Sequence, residues 1–277
     1  MKLYLFFISA IILLFACNKK GMDARTYLEN ARSLYTHADY DSAQKMLDSL
    51  KVLYPKDFKV LQEGLQLSRL VELKQQMRSL NLCDSLLQIR MTERDRMKSD
   101  FIFEKNPEYS DIGKYYQKSQ KLENNVQRSY IRSGVNELGA IELASVYYGD
   151  RPIHHTGLKV SNSQGDYTQT ESIPYDGGMN YSFIDLKKAT EVVTYINGKD
   201  NGVILFIYNN VKLPLKAEYT GGTKAYNIMI SQPDKEALVK TYDFSVVLSD
   251  IDKLHKEKEK FSKRIAYLQE KIAGRQS

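Results

Sequence analysis

The spacing of hydrophobic residues changes along the chain, and each change marks an element. Residues 3–15 form an apolar run behind Lys2, broken only by Ser9. It is shorter than the roughly 20 residues needed to cross a bilayer and matches the core of an export signal. Over residues 23–57, Tyr27, Ala31, Leu34, Ala43 and Leu47 recur at helical steps on either side of Ala38-Asp39-Tyr40-Asp41. This pattern predicts a helical hairpin. Residues 59–104 contain one glycine and no proline, and Leu70, Leu73, Met77, Leu80, Leu87 and Met91 alternate in steps of three and four, with Asp84 as one break. That is the seam of a long helix, which Asn106-Pro107 ends. A weaker seam at Ile112, Tyr115, Ser119, Leu122, Val126 and Ser129 predicts a second helix closing at Gly134, so that 58–133 reads as a helical stalk.

Between 134 and 232 the period falls to two, and this stretch holds 11 of the 15 glycines. Residues 203–207 read as a buried central strand, with Asn209-Asn210 turning into an alternating strand at Leu213, Leu215, Ala217 and Tyr219. Strands at 191–196 and 226–230 complete a four-strand meander, and those near 141–147, 153–160 and 166–173 make a sandwich. From 233 to 277 the three-four spacing returns at Leu238, Tyr242, Ile251, Leu254, Phe261, Ile265, Leu268 and Ile272. The predicted fold class is α+β: a helical hairpin and coiled-coil-like stalk, with an antiparallel β-sandwich module (134–232) inserted before a C-terminal return helix. That helix buries its seam against the stalk or, alternatively, against a second copy as a homodimer.

Two segments resemble known families. Leu14-Phe15-Ala16-Cys17 resembles the lipobox of bacterial lipoproteins, with an aliphatic residue at −3, a small one at −1 and the cysteine. The resemblance implies removal of residues 1–16, diacylglycerol on Cys17, and a tether over 17–22. Asn18-Lys19-Lys20-Gly21 lacks Asp after the cysteine and lacks an acidic run. By the sorting rules of such proteins this points to the outer membrane of the cell envelope, facing the periplasm. Tyr27-x2-Asn30-Ala31-x2-Leu34, Ala43-x3-Leu47 and Pro55 are similar to the tetratricopeptide pattern, with Asn30 and Ala31 replacing its Leu-Gly pair. Gly64, Leu65 and Met77 fit a second repeat poorly. A single repeat cannot close a core, so the hairpin must pack on residues C-terminal to it.

Composition adds limits. At 277 residues, 42% hydrophobic and 27% charged, the chain can bury a substantial core, and two cysteines exclude a disulfide framework. The net charge of +6 becomes +5 without Lys2, and residues 253–275 alone carry eight basic and three acidic residues. Glu257 and Glu259 interleave with those lysines, which marks a solvated helix face and not a nucleic-acid site. No phosphate loop, G-x-S-x-G or H-E-x-x-H occurs. Ser42-x-x-Lys45 has no companion Lys-Thr-Gly. His154-His155 needs further ligands to hold a metal, with Asp150 or Asp176 as candidates, and Cys83 reads as a structural thiol. No catalytic, cofactor or metal residues are therefore assigned. Nine of the 20 tyrosines lie in 134–232, and Tyr147, Tyr148, Tyr175 and Asp176 are the candidate ligand contacts. The expected role is a membrane-anchored, non-catalytic scaffold with an unidentified protein partner. The alternative is a carbohydrate- or small-ligand-binding lipoprotein acting through the β module.

Overall fold

A computed structural model describes residues 22–274, apart from 109 and 223. The signal segment and Cys17 lie outside the described residues. Among these, no helix is long and apolar enough to cross a membrane. The fold class is α+β, as the periodicities predict. The chain divides into two compact units, one holding residues up to Ser79 with those from Phe261 onward, the other Leu80–Lys260.

In the first unit, α1 (Ala24–Thr36) and α2 (Tyr40–Leu53) start at aspartates. Asp23 accepts the Thr26 N–H at 2.7 Å and Asp39 that of Ser42 at 3.1 Å, occupying backbone donors that the first turn leaves free. Those bonds, with Thr26 and Ser42, hold both carboxyls below their usual range. Leu28 and Ala31 meet Ala43, Leu47 and Leu50, and Val60, Leu67 and Val71 of α3 (Phe58–Lys98) cover them. Gly64, which fits a repeat poorly, faces this core: a Cβ there would stand 3.1 Å from Leu50 Cδ2. The last turns of α5 (Gln232–Ala273) bury Leu268 here, and Arg264 pairs with Glu72 through two bonds of 2.6 and 2.9 Å.

Among the described residues the second unit holds ten antiparallel strands in two sheets. These are β1 (Phe101–Glu104), β2 (Lys114–Gln117), β3 (Tyr130–Asn136), β4 (Ile141–Gly149), β5 (Gly157–Asn162), β6 (Tyr167–Gln169), β7 (Asn180–Asp185), β8 (Lys188–Tyr195), β9 (Leu215–Thr220) and β10 (Tyr226–Met229). The large sheet runs β1-β2-β3-β4-β8-β7 and the small one β10-β9-β5-β6. Ile131, Leu143, Tyr147, Val193 and Tyr195 of the large sheet pack on Leu158, Val160, Leu215, Ala217 and Tyr219 of the small one. The small sheet covers only part of that inner face. Beside β1 and β2, α5 takes over: Phe244 and Leu248 pack on Phe101, Tyr115 and Val135. The other face of the large sheet has no such cover among the described residues.

Three expectations are corrected. The long helix stops at Lys98 and not at Asn106-Pro107, because Phe101–Glu104 pair with β2 as β1. Residues 112–133 are not a helix. They form β2, two short 3-10 turns and the start of β3, and the expected seam residues Leu122 and Val126 are exposed. Strand pairing overrides the weak local seam, and the buried Gln120 side chain fixes the result by donating to Ile131 O and accepting from Ser133 N. Residues 203–207 are not a central strand but open α4 (Val203–Asn209), which buries Val203, Ile204 and Ile207 on one face. A short run apolar on every side fits either element, and Gly202 in the left-handed region (φ 84°) starts the helix. The four-strand meander is lost with it, because β8 belongs to the large sheet and β9 and β10 to the small one. On α3 the buried line in this unit runs through Cys83 and Leu87, one residue away from the Asp84 break; of the expected seam residues in the first unit, Met77 is exposed. Cys83 Sγ lies 3.1 Å from Leu254 O on α5, and burial raises its thiol pKa.

Phe244 is fully buried, with ring centroids 4.6 Å from Phe101 and 5.3 Å from Tyr115. Phe244→Ala is expected to destabilise this unit by about 3–5 kcal/mol, read as a lowered urea midpoint. An unchanged midpoint would show that α5 does not close the inner face.

Candidate functional site

A strand's alternate residues point to opposite faces, so the covered inner face dictates what stands on the outer one. Tyr130, Arg132 and Gly134 of β3 alternate with the inward Ile131, Ser133 and Val135. The register places Arg132 opposite Ala144, and Ala144 opposite Thr194. It likewise lines up Tyr130, Val146, Val192 and Tyr181 across four strands, with Tyr148, Thr190 and Phe183 as the next row. Over this face, residues 122–128 and Gly178-Met179 form walls around a cavity of about 730 Å³. That size lies in the range of small-molecule sites.

Small residues make the room. A Cβ at Gly134 would stand 2.5 Å from Tyr116 Cε1, so only glycine lets the Tyr116 ring lie across β3. The Tyr116 hydroxyl donates to Glu142 Oε1 at 2.8 Å, while Lys114 Nζ reaches Oε2 of the same carboxylate at 2.7 Å. Burial, then the neighbouring Glu142 charge, pushes the Tyr116 phenol well above its ordinary pKa. On the wall, Arg128 grips Asp234 through bonds of 2.9 and 2.7 Å, donates to Asn125, and lies over the Tyr130 ring. Arg132 is different. Its guanidinium carbon stacks 3.7 Å from the Tyr116 ring centroid, and its buried Nε and Nη2 have no hydrogen-bond partner.

A second cluster lies on the opposite side of the same strands. Ser145 Oγ is 3.0 Å from His155 Nε2, and His155 Nδ1 is 2.7 Å from Glu191 Oε2. This is the order of a nucleophile, base and acid, yet the three residues are 0%, 1% and 2% exposed. Ser145 lies between Ala144 and Val146, which face the cavity, so it points into the sandwich. The network is a clamp. Glu191 Oε1 accepts the N–H groups of Ile153 and His154, both at 2.7 Å, and Oε2 that of His155 at 3.1 Å. His154 at φ 56° curls the chain so that successive N–H groups converge on the carboxylate. Burial alone would raise the Glu191 pKa; the His155 ring and the His154 and His155 N–H bonds outweigh it and leave the carboxyl below its ordinary value. Tyr195, 3.2 Å from Ser145 Oγ, is pushed by burial up to about 12.

The four candidate contacts do not form one site. Tyr148 lines the cavity. Tyr147 is a core residue, packed edge-on to Tyr226 and donating to Arg151 O at 2.9 Å, because it sits one position along the same strand and so faces inward. Tyr175 is exposed and does not line the cavity. Asp176 folds its own turn, accepting from Asn180 N at 2.9 Å and Gly178 N at 2.8 Å, bonds that lower its pKa. Among the described residues no group of three or more His, Cys, Asp and Glu could hold a metal ion, and Asp150 pairs with Lys188. Tyr116, Tyr130 and Arg132 escaped sequence reading because a helical period was assigned to 112–133. The alternation of Ile131, Ser133 and Val135 with Tyr130, Arg132 and Gly134 was the available signal. No family model, curated protein or solved structure matches the chain.

Glu191→Ala strips four donors of their acceptor and is expected to cost about 3–5 kcal/mol at pH 7. Because the folded pKa of Glu191 is depressed, its contribution is complete above the unfolded value of about 4.3 and fades as pH falls through the folded one. Urea midpoints at pH 7 and pH 3 should therefore differ less in Glu191→Gln than in the parent. Equal pH dependence in both proteins would contradict the clamp.

Proposed function

We propose that this chain is a lipid-anchored protein of the bacterial cell envelope whose β module binds a small ligand on the open face of its large sheet, without catalysis. The observation that carries this reading is the cavity of about 730 Å³, floored by Tyr116, Tyr130, Tyr148, Tyr181 and Phe183. Aromatic rings on a rigid sheet supply contact area that loses little conformational entropy on binding. Placement on paired strands rather than loops keeps the surface preformed. The lipobox at Cys17 supports the anchor, and the residues after it support the outer membrane.

A protein-interaction role is the second reading. In its favour, Leu82, Leu86 and Ile89 of α3 are exposed at the spacing of one helix face. The expected homodimer through the C-terminal helix has less support, since Ile251 and Leu268 are buried within the single chain. Cross-linking in intact cells with mass spectrometry separates the readings. Repeated cross-links from α3 to one other protein favour a scaffold, and cross-links within this chain alone favour ligand binding.

Thermal-shift screening of the mature chain against glycan and small-molecule panels tests the ligand role. A true ligand at 100 times its Kd stabilises the parent by about 2.7 kcal/mol. Ala144→Phe, which fills the floor between Arg132 and Thr194, should remove that gain while leaving the unliganded melting point within a few degrees. Ligands that stabilise both proteins equally bind elsewhere and overturn the assignment. For the anchor, Cys17→Ser should move the protein from the detergent-requiring membrane fraction to the soluble one. Unchanged membrane association refutes lipidation.

A further inference from the structure

Resting on that binding role, we propose that the cavity takes an amphiphile with a flat or extended apolar body and one anionic group, and that Arg132 receives the anion. Most ionisable side chains lining the cavity already have partners. Glu142 accepts from Lys114 and Tyr116, and Arg128 is held by Asp234 and Asn125. Asp185 stands exposed in the β7–β8 turn, where water serves it. Arg132 differs in that its Nε and Nη2 make no hydrogen bond. Its ion-pair partner is loose: Glu104 Oε1 is 3.7 Å from Nη2, beyond hydrogen-bond reach, and belongs to a side chain 48% exposed.

A guanidinium set among aromatic and aliphatic groups is costly unless it is paired. A surface arginine normally avoids that cost by reaching into water. Arg132 keeps 14% of its side-chain surface and lines the cavity, while the Tyr116 ring holds it flat against the sheet. The 14% of the side chain left open is where a carboxylate, sulfonate or phosphate in the cavity would meet the guanidinium, through the charge-assisted bonds that arginine makes best. The rest of the lining fixes the body of the ligand: Val146, Val192, Met179, Phe183, Tyr148 and Tyr181 present apolar or ring surface. A neutral sugar hydroxyl would also accept from Arg132, but it would bring no charge to meet the guanidinium.

Two fluorescent probes differing only in one charged group test this on the mature chain. They are 8-anilinonaphthalene-1-sulfonate and its neutral counterpart N-phenyl-1-naphthylamine. The sulfonate is expected to bind the parent at least about tenfold more tightly, the ratio a charge-assisted hydrogen bond supplies. Arg132→Met should abolish that preference by weakening the sulfonate alone, Arg132→Lys should keep part of it, and Ala144→Phe should lose both probes. Near-UV circular dichroism reports whether each variant keeps its packing, and the ratio in the parent stands without any variant. Equal affinity for the two probes, both lost in Ala144→Phe, would overturn the anionic class and leave the binding role standing. A preference surviving in Arg132→Met would overturn the assignment to Arg132. Failure of both probes to bind would remove the binding role as well.

Discussion

One sheet with one covered face is the constraint on which the second unit depends. Six strands expose two faces, and burial of both would need a second layer on each side. Here the small sheet covers part of the inner face through Leu158, Val160, Leu215 and Ala217, and α5 covers the rest through Phe244 and Leu248. The two covers meet along β3. Its inward residues pass from Ile131 under the small sheet, through Ser133 bonded to Thr241 of α5, to Val135 under Phe244. Because the period is two, fixing these residues inward fixes Tyr130, Arg132 and Gly134 outward. The cavity floor is thus a by-product of core packing.

The same constraint explains the sealed Ser145, His155 and Glu191 network. A buried carboxylate requires several hydrogen bonds, and Glu191 receives them from three backbone N–H groups and an imidazole. Those bonds tie the segment before β5 to β8, linking the small sheet to the large one. Ser145 completes the chain because His155 Nε2 also needs a partner in the dry interior. Catalytic geometry and structural satisfaction coincide here in atoms and distances. Access separates them, and on β4 it changes between adjacent residues.

Much of this was legible from periodicity. The hairpin over 23–57, the long helix after it, the strand-rich stretch and the return helix all arise from local spacing, and α1 and α2 begin at the aspartates of the sequence. What failed were segments whose pattern was weak and whose partners are distant. The 112–133 seam contained two serines, and β2 and β3 form only because β1 and β4 flank them. For residues 203–207, strand and helix differ only in which neighbours bury them. Tyr148 was found because it stood out as an aromatic in a strand. Arg132 was missed because nothing local distinguishes a floor arginine from a surface one.

Charge shows the same dependence on distant partners. The basic stretch 253–275 would make a strongly positive helix in isolation, but α3 sets Asp84 against Lys258 and Glu72 against Arg264, and Asp252 pairs with Lys256 on α5 itself. Exposed pairs of this kind add little stability, yet they offset part of the positive field of that stretch. The charge at the cavity is local, set by the side chains that line it and not by the overall +6. Its rim carries the clearest local conflict in the unit. The β7–β8 turn places Leu186 and Lys187 at φ 46° and 65°, in a two-residue turn that favours Asn-Gly, and leaves Leu186 85% exposed. Neither turn chemistry nor core packing accounts for a leucine there. Leu186 lines the edge of the cavity, and strained backbone positions cluster at functional sites, so the conflict falls where the proposed binding role would put it.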